Sequence, residues 1–119
     1  MTNKAKQVVF ETAYEAVSVV GKKIRTSQSY WKWICDVKHD EVEGQINLVL
    51  LTLEDADEVY QKSDDKDVHL YYKKINRHFV CVVTRHLNGD GFIVTAYLTS
   101  KRKRKGVHIY AKRTNKNKD

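Results

Sequence analysis

From Glu58 to Lys112 the apolar residues recur at every second position, and this period constrains the fold more than any other feature of the chain. A period of two marks strands, because successive side chains point to opposite faces. It predicts strands over residues 59–61, 68–74, 79–85, 91–99 and 107–112, with a polar turn over 63–67. The spacings suit hairpins, and Asn88-Gly89-Asp90-Gly91 supplies the residues that a tight turn needs. Upstream of Glu58 the period is helical. Ser27 is a good N-cap, and Tyr30, Ile34 and Val37 follow at helical spacing, flanked by Trp31 and Cys35. This helix should end near His39. Asp40 and Glu43 resemble a capping box for a second helix whose apolar face is Val42, Ile46, Val49, Leu50 and Leu53, weakened by Gly44. Before the first helix, residues 7–10 and 15–24 read as extended or irregular, with a hairpin or bulge at Gly21. Residues 13–20 also fit a short helix.

Helices first and strands afterwards predict an α+β domain, with N-terminal helices packed on one face of a four- to five-stranded antiparallel sheet. Residues 1–112 form a single domain in this reading, with frayed residues 1–7 and a basic tail over 113–119. The strand at 91–99 is the expected centre. Phe92, Val94, Ala96 and Leu98 share one face and suit a core. Ile93, Thr95, Tyr97 and Thr99 share the other, and three of these carry hydroxyls. Immediately afterwards come five cations, Lys101, Arg102, Lys103, Arg104 and Lys105. Hydroxyls running into cations suggest a phosphate-rich ligand. The plainer alternative is a half-solvated strand face followed by a solvated loop.

The charge is segregated. The net charge is +7, yet residues 101–119 alone hold nine bases and one acid, and residues 36–67 hold eleven acids and three bases. A basic end attracts nucleic acid by releasing counterions. An acidic middle either repels it elsewhere or neutralises neighbouring surfaces of the same molecule. The longest apolar run, residues 46–53, is too short for a membrane span, and residues 1–7 show no secretory pattern. No membrane partner and a cytoplasmic location are therefore expected. Cys35 and Cys81 lie in apolar segments and read as buried free thiols, although a disulfide is open if their Cα atoms approach.

There is no P-loop, no G-x-S-x-G elbow, no H-E-x-x-H and no paired C-x-x-C, which argues against a nucleotide hydrolase, a serine hydrolase and a zinc module. Asp36, His39, Glu41 and Glu43 offer oxygen and imidazole ligands, but acidic helix termini are common without ions, so neither metal nor cofactor is expected. His39 is the leading acid/base candidate, beside carboxylates that favour its protonated ring. RNA cleavage without metal needs a base for the ribose 2′-hydroxyl, an acid for the departing oxygen and cations for the phosphate. His39, Tyr97 and Arg85 have the chemistry for these roles, and Thr95 could hold a phosphate oxygen. Lys101 to Lys105 would bind the RNA backbone.

Several pieces, in order, resemble a known group. They are Ile24-Arg25-Thr26, Trp31, Ile34, His39 and Glu41, then Thr52 to Val59, Leu70-Tyr71-Tyr72-Lys73, Val80 to Val83, Gly91-Phe92-Ile93-Val94-Thr95-Ala96-Tyr97, and Gly106 to Tyr110. This order is similar to the phage- and mobile-element-associated branch of the barnase–EndoU–colicin–RelE-like ribonucleases, over about residues 20–112. The resemblance implies a RelE/barnase-like fold and metal-independent endoribonuclease activity, often as a toxin. It implies RNA as substrate and an antitoxin or immunity protein as partner. His39, Thr95 and Tyr97 take the motif positions. Trp33 stands where the group has a histidine, and Ala56 where it has a proline. The loss of a histidine keeps open a second reading, a nucleic-acid-binding or interaction module without catalysis.

Overall fold

A computed structural model describes residues 12–87, 90–103 and 106–112. The first hairpin is β1 (Tyr14–Val17) and β2 (Lys23–Thr26). Helix α1 (Gln28–Trp33) continues through a π-helical turn (Ile34–Lys38) and a 3-10 turn (Asp40–Val42) to α2 (Ile46–Glu54). Then come β3 (Glu58–Lys62), β4 (Asp65–Ile75), β5 (His78–Leu87), β6 (Asp90–Thr99) and β7 (Val107–Ala111). The strands form one sheet in the order β1-β2-β6-β5-β4-β3-β7.

This overturns the expected four- to five-stranded antiparallel sheet with a RelE/barnase-like arrangement. Among the described residues the sheet has seven strands, and β2 joins β6 in parallel through Lys23 with Asp90, Ile24 with Gly91 and Arg25 with Phe92. A parallel pair needs a long crossover, so its partners are far apart in sequence and local periodicity does not announce it. Gly91 makes the join possible. A Cβ there would lie 2.5 Å from Ile24 Cδ1 and 2.9 Å from His86 Nδ1.

Ser27 caps α1 as expected, its hydroxyl accepting from the Tyr30 N–H at 3.1 Å. Ser27→Ala should cost about 1 kcal/mol, read as a lower urea midpoint with an unchanged slope. The expected capping box does not form: neither His39 nor Gln45, the residues that precede the two following helical segments, caps them with a side chain. Gly44, at φ +79°, breaks the helix there, and α2 begins only at Ile46.

The helices cover one face of the sheet. Ile24, Ile34, Val49, Leu53, Tyr71, Val82 and Ile93 are fully buried there. Burying an aliphatic side chain of this kind contributes roughly 1.5–3 kcal/mol, which holds a nine-residue helix that would be marginal alone. The β1–β2 hairpin curls onto the same face: Tyr71 Oη donates to Ser18 Oγ at 2.9 Å, and Val19 N–H to Leu53 O at 2.9 Å. At one end of this face His69, Thr84 and His86 are buried together, with the imidazole centroids 4.3 Å apart.

The expected faces of β6 hold only in part. A bulge lets Val83 pair with Thr95 and Thr84 with Ile93, so Val94 is the extra residue. Beyond the bulge Ala96 faces the helices and Tyr97 the other side, as the alternation predicts. Before it the phase is reversed: Ile93 is in the core, while Phe92 and Val94 line the second face. One inserted residue flips every side chain on one side of it.

The second face is not bare. β6 is third in the sheet and β7 seventh, so the chain from Thr99 to Val107 must cross β5, β4 and β3. Four strand spacings are about 19 Å, and the chain between those residues spans at most about 27 Å. The described residues of this connection, 100–103 and 106, lie on this face as a strap. Tyr72 Oη pins it by accepting from Lys103 N–H at 3.1 Å. Arg102 lies over the Phe79 ring at 4.9 Å and pairs with Glu58 at 2.8 Å. Gly106 rests against the β3 backbone, where a Cβ would fall on the Gln61 carbonyl. Residues 1–11, the expected turn at Asn88-Gly89, the cations Arg104 and Lys105, and the tail 113–119 lie outside the described residues.

Candidate nucleic-acid interface

Two cavities adjoin on the second face. The larger, about 820 Å³, has a floor from Val68, Leu70 and Val83 and a rim from Lys62, Lys103 and Arg85, with Asp64 also on the rim, 3.7 Å from Lys62. Tyr97 lines it as well, and Gly106 closes it on the strap side. The smaller, about 340 Å³, lies among Arg25, Tyr30 and Phe92. Arg85 and Val94 line both. Arg85 is aimed by Asp65, its Nη2 lying 2.8 Å from Oδ2, and this contact holds the Asp65 carboxyl below its usual range. Arg25 stands over the Phe92 ring at 5.4 Å and pairs with Asp90 at 3.3 Å.

The helical segment runs along the edge of β6 that β2 leaves unpaired. Tyr30 Oη donates to Val94 O at 3.0 Å, and Leu98 N–H to Glu41 Oε2 at 3.4 Å. Such bonds satisfy edge groups that would otherwise be open to another strand. They also bring His39 to β6, with its ring centroid 5.3 Å from that of Tyr97. His39 Nδ1 faces Glu41 Oε2 at 3.2 Å, so the carboxylate orients the ring. An imidazole held at Nδ1 by a carboxylate presents Nε2 as its reactive nitrogen.

The remaining expected residues are placed differently. Tyr97 packs against Tyr60, Tyr72 and Cys81. Burial, with Cys81 and Tyr72 adding to it, raises the Tyr97 pKa far above the ordinary phenol value. The same cluster pushes Tyr72 up to about 12 and Cys81 up to about 11, in both cases mainly through burial. Tyr97 is therefore a neutral phenol near pH 7, able to donate a proton or a hydrogen bond but not to act as a base. Thr95 follows the bulge, and its hydroxyl is buried with no hydrogen-bond partner among the described residues. His39 lines neither cavity, whereas Arg85 lines both and Tyr97 the larger. The structure thus sets His39 against Tyr97, while Tyr97 and Arg85 share only the lining of the larger cavity, and it does not gather all four around one opening.

Of the cations 101–105, Lys101 is exposed, Arg102 is tied to Glu58, and Lys103 lines the larger cavity. Part of the acidic middle is engaged in the same way. Asp55 meets Lys73 and Lys112, both at 2.9 Å, and its carboxyl is held low, first by the Lys73 hydrogen bond. Asp36 is held by Lys32 at 2.7 Å. No group of three metal-ligating side chains occurs among the described residues. Cys35 and Cys81 are buried and free, as expected. Among the described residues no helix is long and apolar enough to cross a membrane.

Arg25, Tyr30, Lys62 and Phe92 were not singled out for the site from sequence. Arg25 and Phe92 become neighbours only through the parallel β2–β6 join. Lys62 matters only because the strap passes near the end of β3. An Arg and a Phe, each following a small or apolar residue in a strand, carry no local signal of this meeting. Comparison with known proteins supplies no family: no family model, no curated protein and no solved structure matches the chain.

Proposed function

We propose that the protein binds single-stranded nucleic acid, with RNA as the natural ligand, on the second face of its sheet. The observation that supports this most is the cavity of about 820 Å³ with an apolar floor, Tyr97 in its wall and a rim on which Lys62, Arg85 and Lys103 outweigh Asp64. Phosphates favour the rim and bases favour the floor, a division typical of single-strand sites. A duplex offers neither exposed bases nor a surface that enters such a cavity.

Anisotropy of a fluorescent 12-nucleotide RNA measures this. With Lys62, Arg85 and Lys103 near phosphates, log K should fall against log salt with a slope of about −2. Charge reversal at Lys62 and Lys103 together should weaken binding at least about tenfold, since phosphate contacts supply much of the affinity. No binding at about 50 mM salt would overturn the proposal. Undiminished binding after charge reversal would move the site away from this face.

A second reading, metal-independent RNA cleavage, draws on the Glu41-held His39 beside Tyr97. His39 would take the 2′-hydroxyl proton as that oxygen attacks phosphorus, and the neutral Tyr97 phenol beside it would give a proton to the departing 5′-oxygen as the P–O5′ bond breaks. The resemblance to the ribonuclease group supports it, while the seven-stranded sheet removes the fold which that resemblance implied. Binding therefore leads and cleavage follows. Total RNA incubated with the protein in EDTA should be cut, and His39→Ala should cut it at least about a hundredfold more slowly if the imidazole is the base. Intact RNA beside normal binding would leave the protein a binder alone.

A further inference from the structure

The two cavities share a wall, and this wall carries the inference. Val94, the extra residue of the β6 bulge, and Arg85 of β5 line both the 820 Å³ and the 340 Å³ spaces. Each space has apolar lining, and each has an aromatic side chain, Tyr97 in one and Phe92 with Tyr30 in the other. Among the described residues, the one side chain common to both that carries a charge is a guanidinium, already aimed by Asp65 at 2.8 Å. A guanidinium offers a planar fork of donors that matches phosphate oxygens.

We propose that the face takes one dinucleotide step: two successive bases splayed into the two cavities on either side of Val94, with the linking phosphate on Arg85. This rests on the reading of the face as a single-strand site and adds the unit that it recognises. Splaying follows from the wall, because Val94 stands where stacked neighbours would be continuous. Aromatic side chains on both sides replace the lost stacking. Asp65 orients Arg85 but also places a carboxylate beside the phosphate position. It therefore aligns the fork while opposing the anion.

Uridine oligonucleotides of one to six residues without terminal phosphates, titrated against the full chain, provide the test. Affinity should rise steeply, at least about tenfold, from the nucleoside to the dinucleoside monophosphate, where a charged hydrogen-bonded phosphate first appears. It should then rise only slowly. Arg85→Gln should remove this step. Asp65→Asn should strengthen dinucleotide binding about threefold or more, by removing the opposing charge. A purely structural role for the Arg85–Asp65 pair would give loss or no change in both variants. If the 12-nucleotide RNA binds but affinity climbs evenly with length, and Asp65→Asn does not gain, the two-cavity step is wrong while binding on this face stands. If no oligonucleotide of any length binds, both fall.

Discussion

Gly106→Val should destabilise the protein by about 3 kcal/mol and release β7 from β3. Gly106 sits at φ +98°, a region closed to β-branched residues, and its hydrogen faces the β3 backbone. A Cβ would fall on the Gln61 carbonyl oxygen and lie 3.0 Å from the carbonyl carbon. Backbone in a paired strand cannot step aside as a flexible side chain can. The strap must lift instead, and with it go the Lys103–Tyr72 contact and one wall of the larger cavity. The readouts are the urea midpoint and hydrogen exchange of the β7 amides. A variant within about 0.5 kcal/mol of the parent, with β7 still protected, would show that the strap is not seated as described. Ligand binding should fall in parallel, since the rim loses a cation from its place.

Mild acid should have a comparable effect through the histidine pair on the opposite face. His86 is 8% exposed, and burial, with His69 and Lys22 adding to it, lowers its pKa to about 4. His69 is lowered as well, first by burial, with the Asp67 side opposing. Each ring has a buried Nδ1 without a partner among the described residues, while His86 Nε2 meets Thr84 Oγ1 at 2.9 Å. Protonation would bury charge beside a second imidazole and near a lysine. The native state thus binds fewer protons than the unfolded chain, whose histidines titrate near 6.5. Stability from this pair is complete above that pH and is lost as pH falls toward 4. His86 alone should account for up to about 3 kcal/mol, lost at about 1.4 kcal/mol per pH unit. The lowered carboxylates Asp55 and Asp65 act in the opposite part of the scale. Their contribution is complete above the ordinary carboxylate range and lost only below it. His86→Gln keeps a partner for Thr84 and removes one titration, so the slope of stability between pH 6.5 and 4 should become shallower. A flat urea midpoint for the parent across that window would show that the pair is not held neutral.

The two effects act on opposite faces, and both trace back to close approaches that topology creates. Gly91 brings β2 against β6 and His86, and Gly106 brings the strap against β3. Neither glycine stands out by composition. The expected positive-φ role of the Asn88–Gly91 cluster concerns partly undescribed residues, and Gly91 serves instead through its missing side chain.

Much of the secondary structure was legible. The period of two located all five strands after Glu58 and Ser27 marked the start of α1; of the hairpin or bulge open at Gly21 the structure forms the hairpin, and the short helix that residues 13–20 also fit does not form. Those signals are local, set by backbone preference and by which side chains avoid water. The phase of β6 was legible only after the bulge, because an inserted residue leaves composition unchanged while reversing the faces before it. In the site, chemistry points to Arg85, Tyr97 and His39; the structure sets His39 beside Tyr97, and Arg85 meets Tyr97 only as another lining residue of the larger cavity. The hydroxyl of Thr95 and the run at 101–105 were read as open to ligand. Burial closes the first, and Glu58 and Tyr72 tie down part of the second.

By itself, then, the sequence determined the start of α1 and the strands after Glu58, since those choices depend on residues within a turn or two of each other, while it left residues 13–20 open and began the second helix too early. The tertiary structure alone decided the parallel β2–β6 join, the strap across the sheet and the wall shared by two cavities. The join and the strap bring together residues more than thirty positions apart, and the wall pairs Arg85 with Val94 through a bulge, so each depends on which strands become neighbours and in what register rather than on any local preference.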